Sequence, residues 1–439
     1  MKHLLNNIIG SFLILFLNIN FAAAANSLQM ADSLSLKEII QMAVKDHPTI
    51  KLAGEAINSA DARIGLARSG YYPEVDLTAN YSNLGPVTKL TIPDMGTFQL
   101  FPTDNYSASI NYRQMIYDFG RTNQGIEIEK ENRVLGEETL EQARQKLSLL
   151  AVNNYFSLVY LQSAIKIKDE QLNTLNEHLE HVKKMFETGS ATEYQVLTTR
   201  VKISGVESQK TDLGAALAAQ QAILVSLTGK EGDLPPVKTD LTSDLPVIPQ
   251  DSVIAYAFRN RDELRMNREK ASIAGMRYDL TKLQNKPVLS IMAAAGAKNG
   301  YVPYLNELRP NYVVGLGLRV PLFDGTKNKY NIQQSRSAVS SADFETEYIK
   351  RTVVNEISDA RQNMIAAEKK IAQFTLQLEQ AQKAYSLALT SFNSGVITNL
   401  DLLDANTAVS ESRLLLLKSK IDYAASVYRF RAALGDRLY

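Results

Sequence analysis

Two carboxylates stand three residues apart in "SGVITNLDLLDAN", at Asp401 and Asp404. On a helix that spacing puts them on one face. Such a pair attracts cations, and in a confined site it resists full ionisation. Asp401 also lies three residues after Thr398, the position from which an acidic side chain closes a helix N-cap. His178 and His181 form a second pair with metal-ligand spacing. No third ligand is evident, so they read as part of a solvated helix face. No Ser/His/Asp arrangement and no glycine-rich phosphate loop is recognisable. Cysteine is absent, which excludes disulfides, thiolate metal sites and thiol catalysis. The residues support no enzyme and no cofactor. Lys and Arg number 48 against 47 Asp and Glu, which speaks against a nucleic-acid partner.

The segment that carries the carboxylates occurs twice. "FETGSATEYQVL" begins at Phe186 and "FNSGVITNLDLL" at Phe392, 206 residues later. Gly229 and Gly435 keep that offset, as do "RQMIYD" from Arg113 and "RVPLFD" from Arg319. Upstream, "MAVKDHP" and "YAFRNRD", and Pro73 and Pro287, are 214 apart. The chain is a tandem duplication whose second copy is eight residues shorter in one stretch. The histidine pair is not repeated: its counterparts are Ala384 and Leu387.

Residues 1–25 read as a secretory signal, with apolar "IIGSFLILFL" ahead of the small residues Ala23 and Ala25. Residues 26–230 form the first repeat and 251–439 the second. The stretch 231–250 between them, with four of its residues proline, reads as an extended linker. No stretch of 18 apolar residues follows the signal, so no transmembrane helix is expected.

Neither 103–234 nor 322–439 contains proline within long runs of good helix formers. From Val396, steps of four and three reach Leu400, Leu403, Thr407, Ser410, Leu414, Leu417, Ile421, Ala424 and Tyr428, a seven-residue repeat. A second seam runs Leu402, Val409, Leu416, Tyr423, Phe430. A helix over Gly120–Phe186 would span about 100 Å, rod length. Gly189 and Gly395 end the long helices, and Thr192 and Thr398 cap the returning ones, with Gln195 and Asp401 completing the caps.

At the other end of each copy the period becomes two. Val75, Leu77, Ala79 and Tyr81 alternate with Asp76, Thr78, Asn80 and Ser82, and Tyr106, Ala108, Ile110 and Tyr112 with Ser107, Ser109, Asn111 and Arg113. "YVVGLGLRV" repeats the pattern, while "VLSIMAAAGA" alternates least clearly. Each copy thus offers two strands of membrane-spanning length. Four strands cannot close a barrel, and lipid does not tolerate open sheet edges, so several chains must share one. The alternative is a secreted soluble coiled-coil scaffold with the strands as a small cap.

"SLKEIIQMAVKDHPTIKLA", "IYDFGRTNQ", "PLFDGTKNK" and above all "SGVITNLDLLDA" resemble the TolC family of outer-membrane efflux proteins, over essentially the whole chain after the signal. The resemblance implies a mostly α fold with a small β part. Tandem coiled-coil helices would form a trimeric helical barrel in the periplasm, beneath a shared twelve-stranded barrel in outer-membrane lipid. It implies a homotrimer that joins a periplasmic adaptor and an inner-membrane transporter in efflux or type I secretion. Asp401 and Asp404 match aspartates lining the periplasmic mouth, and Phe392 stands where many members have a gate tyrosine. Gly189 and Gly395, with Thr192, Gln195 and Thr398 around them, match the turns that meet the adaptor.

Overall fold

The computed structural model describes residues 33–230, 235–239 and 252–439. The expected signal and most of the expected linker lie outside them.

The first repeat runs α1 (Leu36–Asp46), α2 (Pro48–Ser69), β1 (Glu74–Asn83), β2 (Lys89–Ile92), β3 (Gly96–Gln99), β4 (Asp104–Tyr117), α3 (Arg121–Glu187) and α4 (Glu193–Thr228). The second runs α5 (Val253–Asn260), α6 (Asp262–Leu283), β5 (Val288–Lys298), β6 (Arg309–Arg319), α7 (Lys327–Asn393) and α8 (Asn399–Leu434). The duplication is metrical: α3 and α7 both have 67 residues, α4 and α8 both have 36, and α2 and α6 both have 22. At 1.5 Å per residue the two longest helices measure about 100 Å.

Entry into each long helix is held by an aspartate. Asp118 Oδ1 accepts the Gly120 N–H (3.0 Å), and its Oδ2 accepts the Thr122 N–H (2.6 Å) and hydroxyl (2.7 Å). Asp324 Oδ2 accepts the Asn328 N–H at 2.9 Å, and that bond holds its carboxyl below the usual range. Both satisfy amides that a helix start leaves unpaired.

The strands form one antiparallel sheet in the order β1-β4-β5-β6, so the two repeats join at β4 and β5. Register sorts the side chains by face. Leu77, Ile110, Ala295 and Tyr312 share one row, and Val75, Tyr112, Ala293 and Val314 the next. The opposite face carries Thr78, Ser109, Gly296 and Asn311, then Asp76, Asn111, Ala294 and Val313. There the Asn111 amide donates to Asp76 Oδ2 (2.8 Å) and Thr78 Oγ1 (3.1 Å). Gly296 has no room for a side chain, since a Cβ would lie 2.0 Å from the Ala108 carbonyl oxygen. β5 alternates poorly because Ala293, Ala294 and Ala295 are equally small on both faces, yet it pairs with β4 and β6 along its length. The hairpin β2–β3 was not expected. It occupies the longer loop of the first repeat and continues the β1–β4 pair through the bonds Leu84 N–H to Thr103 O (2.7 Å) and Leu100 N–H to Thr88 O (3.1 Å).

Burial is concentrated away from the sheet. One cluster joins α1, α3, α4 and α8 around Ile39, Val152, Tyr155, Leu224 and Ala424. Val237 of the linker region docks there, bridged to Leu34, while the Tyr155 hydroxyl donates to the Lys238 carbonyl (2.5 Å). A second cluster ties α5 and α7 to the end of α8 through Ala257, Val353, Phe430 and Leu434. Gly435 (φ +84°) ends α8 against the α5–α6 junction, where a Cβ would meet the Asn260 carbonyl carbon at 2.6 Å.

Candidate functional site: the hairpin turns and the open sheet

The chain ends its two helical hairpins in the same backbone turn. Gly189 and Gly395 have φ of +79° and +73°, the left-handed region that favours glycine. In the first turn the Gly189 N–H donates to Phe186 O (3.0 Å) and the Ser190 N–H to Met185 O (2.7 Å). In the second, the Gly395 N–H donates to Phe392 O and the Val396 N–H to Ser391 O, both at 2.9 Å. These bonds satisfy the last carbonyls of each long helix.

Both turns are followed by a capping box, and the second is the tighter. Thr398 and Asp401 form a full reciprocal cap: the Asp401 N–H donates to Thr398 Oγ1 (3.3 Å), and Asp401 Oδ2 accepts the Thr398 N–H (2.9 Å) and hydroxyl (2.6 Å). In the first turn the Thr192 N–H donates to Gln195 Oε1 at 3.3 Å. Hydrogen bonds from the Thr398 hydroxyl and amide hold the Asp401 carboxyl below its usual range. Within one chain this is opposite to the shift that crowded carboxylates would produce.

Asp404 has a different partner. Its Oδ1 lies 3.8 Å from Lys202 Nζ on α4, with the carboxylate still largely exposed. The structure therefore divides the two carboxylates, one serving the cap and one pairing across to the first hairpin. Phe392 is only 4% exposed and packs among Leu175, Leu179, Val182, Val196 and Leu403. It is a core residue between the hairpins and lies behind the carboxylates.

His178 corrects the reading of a solvated histidine face. It is half-buried, edge-on to the Phe392 ring (5.2 Å between centroids), and its Nε2 lies 2.6 Å from Asn399 Oδ1. The Asn399 amide nitrogen donates to the Gln195 carbonyl (3.2 Å) and to the Thr198 (3.3 Å) and Thr199 (3.1 Å) hydroxyls. With that nitrogen engaged, Oδ1 accepts and His178 Nε2 carries the proton. Burial holds the imidazole below its usual pKa. His181 stays exposed, and among the described residues no group of three or more His, Asp or Glu is placed to hold a metal. The His178–Asn399 link crosses between repeats. Its sequence signal was a break in the duplication, where Ala384 answers His178 and Glu193 answers Asn399.

At the far end, the sheet leaves its apolar rows uncovered: Leu77 is 73%, Ile110 56% and Tyr312 83% exposed in the single chain. The strands β1 and β6 each have one unpaired edge. Among the described residues no helix is long and apolar enough to cross a membrane.

The family model for outer membrane efflux proteins matches residues 39–230 and 254–436, and the chain belongs to that family. It is 22% identical to the alkaline protease secretion protein AprF of Pseudomonas aeruginosa, covering 99% of this chain and 89% of that protein. It is likewise 22% identical to the outer membrane protein TolC of Vibrio cholerae, over 91% of this chain and 90% of that protein. The fold matches the solved structure of CusC with a TM-score of 0.78 at 18% identity, over 91% of this chain and 92% of that one. The Campylobacter jejuni CmeC outer membrane channel gives 0.76 at 18% identity, over 91% and 85%. The protein is an outer-membrane channel of the class that serves efflux and type I secretion, with its long helices on the periplasmic side. Members of the family are channels, not enzymes.

Proposed function

We propose that three copies of this chain close a single conduit, which receives cargo from an inner-membrane transporter through a periplasmic adaptor and releases it outside the cell. The observation that carries this reading is the open four-stranded sheet, apolar on one face and bearing the polar side chains of β1 and β4 on the other, with an unpaired edge on β1 and on β6. Lipid does not tolerate such edges, and single-chain barrels begin at about eight strands. Three sheets joined β6 to β1 give twelve strands, with the Asp76/Asn111 face lining the lumen.

The helical hairpins continue the conduit inward for about 100 Å. Their turns, at Gly189 and Gly395, form the adaptor-facing end together with Thr192, Gln195 and Thr398. Asp401 and Asp404 form the mouth, and Phe392 supports it from behind. Relatives named for protease secretion and for efflux both match over more than nine-tenths of this chain, so membership of the family alone assigns no cargo class. The test is the mass of the chain extracted from outer membranes in non-ionic detergent, by light scattering with detergent subtracted. A trimer is expected, whereas a monomer soluble without detergent overturns the proposal.

A further inference from the structure

A groove of about 650 Å³ lies between α4 and α8 over a base supplied by α3. Most of its wall is apolar, including Tyr194, Leu197, Val201 and Leu400, which are 71%, 49%, 72% and 56% exposed. Three charged groups also line it, Lys168, Lys202 and Glu411, and one of them is buried. Lys168, on α3, is only 5% exposed. Its ammonium donates to Gln171 Oε1 (3.1 Å) and, at the long distance of 3.4 Å, to Ser410 Oγ. Both acceptors are neutral. An ammonium has three N–H donors, so one is left. Among the described residues no carboxylate comes within ion-pair distance of it. Glu411, also on the groove wall, acts on it only through space, and Lys202 at the rim is itself paired with Asp404.

Burying a cation against neutral partners is costly unless an anion completes the site. Burial pushes the Lys168 pKa down, as expected of an incompletely compensated ammonium. A groove of this volume, mostly apolar with one buried, incompletely paired cation in its wall, has the proportions of a small-molecule site. We propose that it binds an amphipathic organic anion, whose charged end takes the free Lys168 donor while its apolar part lies along Tyr194, Leu197, Val201 and Leu400. A medium-chain carboxylate satisfies both halves, whereas the corresponding alcohol satisfies only one.

The test uses the full-length assembly in zwitterionic lipid nanodiscs, titrated calorimetrically with decanoate, with empty nanodiscs subtracted. Saturable binding of one decanoate per chain is expected. Lys168→Gln should weaken it at least about tenfold through loss of a charge-assisted bond, and Lys168→Arg should restore most of it. Decanol should not compete. Val201→Glu sets a carboxylate in the apolar wall and should abolish binding in a variant first shown by light scattering to keep the parent's assembly mass. If Lys168→Gln fails to fold, Val201→Glu decides alone. Absence of saturable decanoate binding by the parent assembly overturns the proposal, as when a neighbouring chain fills the groove. Binding that survives Val201→Glu, or that decanol matches, overturns it equally.

Discussion

Phe186 and Phe392 occupy the same position in the two repeats, one turn before equivalent glycines. Phe392 is 4% exposed and Phe186 is 46% exposed. The local backbone does not explain this, because both turns are closed by the same pair of bonds. What differs is the neighbour. Phe392 lies against His178 of α3, so the first hairpin covers the second. Among the described residues nothing covers the first hairpin on its equivalent side. The same asymmetry runs along the rods. Buried residues of α3 run from Ile126 to Val182, whereas those of its twin α7 are Asn328, Val353, Ile357, Ala367 and Phe392. A duplicated chain with one satisfied and one unsatisfied copy of a contact is the expected half of a closed ring.

The largest effect that sharpens this contrast is on local stability. Phe392→Ala should cost about 3–5 kcal/mol, as for a buried aromatic truncated in a core. Phe186→Ala should cost within about 0.5 kcal/mol in the unassembled chain. Amide exchange across the two turns separates them, and equal losses would break the comparison.

The caps come next. Thr398→Ala removes a full reciprocal cap and should cost about 1 kcal/mol, while Thr192→Ala should cost a few tenths. Exchange protection of the first turns of α8 and α4 reports each directly.

A pH effect confined to the inter-repeat link is smaller. Burial lowers the His178 pKa, so the folded state favours the neutral ring. That contribution is full above the ordinary histidine value near about 6.5 and is lost as the pH falls through it toward the lowered folded value. The two groups against the ring, Phe392 of α7 and Asn399 of α8, are uncharged, Asn399 is held in turn by the neutral Gln195, Thr198 and Thr199 of α4, and His181 on α3 opposes the charge further. Acidification from pH 7.5 to 5 should therefore increase exchange at both turns beyond the intrinsic rate change, and His178→Gln should remove the excess.

The smallest effect concerns the mouth. Asp404→Ala should relax cation preference and weaken block by a trivalent cation in bilayer recordings, by a few-fold. Lys202→Ala should do the reverse by freeing Asp404. Unchanged selectivity in both variants assigns these residues to packing alone.

Much of this was legible in the residues. The 206-residue offset located both turns, proline-free tracts bounded the rods, and the alternation at Val75–Tyr81 and Tyr106–Tyr112 sorted the sheet faces. Such features are set by local chemistry and period. The β2–β3 hairpin was hidden because Pro86, Pro93 and Gly96 crowd it with turn signals, leaving pairs as short as Leu90 with Phe98. His178–Asn399, Lys202–Asp404 and the burial of Lys168 depend on which helices face each other, and no single-helix pattern encodes that. The places where the duplication fails, His178 against Ala384 and Lys202 against Ala408, were the available clue.

The central claim is that the unsatisfied copy of the contact is completed by another chain. The 206-residue offset names the partner: as Phe392 meets His178 within a chain, Phe186 should meet Ala384 of the next chain, and Ala384 and Leu387 are indeed exposed. The chain contains no cysteine, so engineered pairs can be read cleanly. Phe186→Cys with Ala384→Cys, treated in intact outer membranes with a short bis-maleimide, which adds to two thiols, should give covalent dimers and trimers on denaturing gels. The control pair His178→Cys with Phe392→Cys should close within a single chain and add no mass. Cross-linking of the first pair only within one chain, or not at all while the control reacts, would contradict the account.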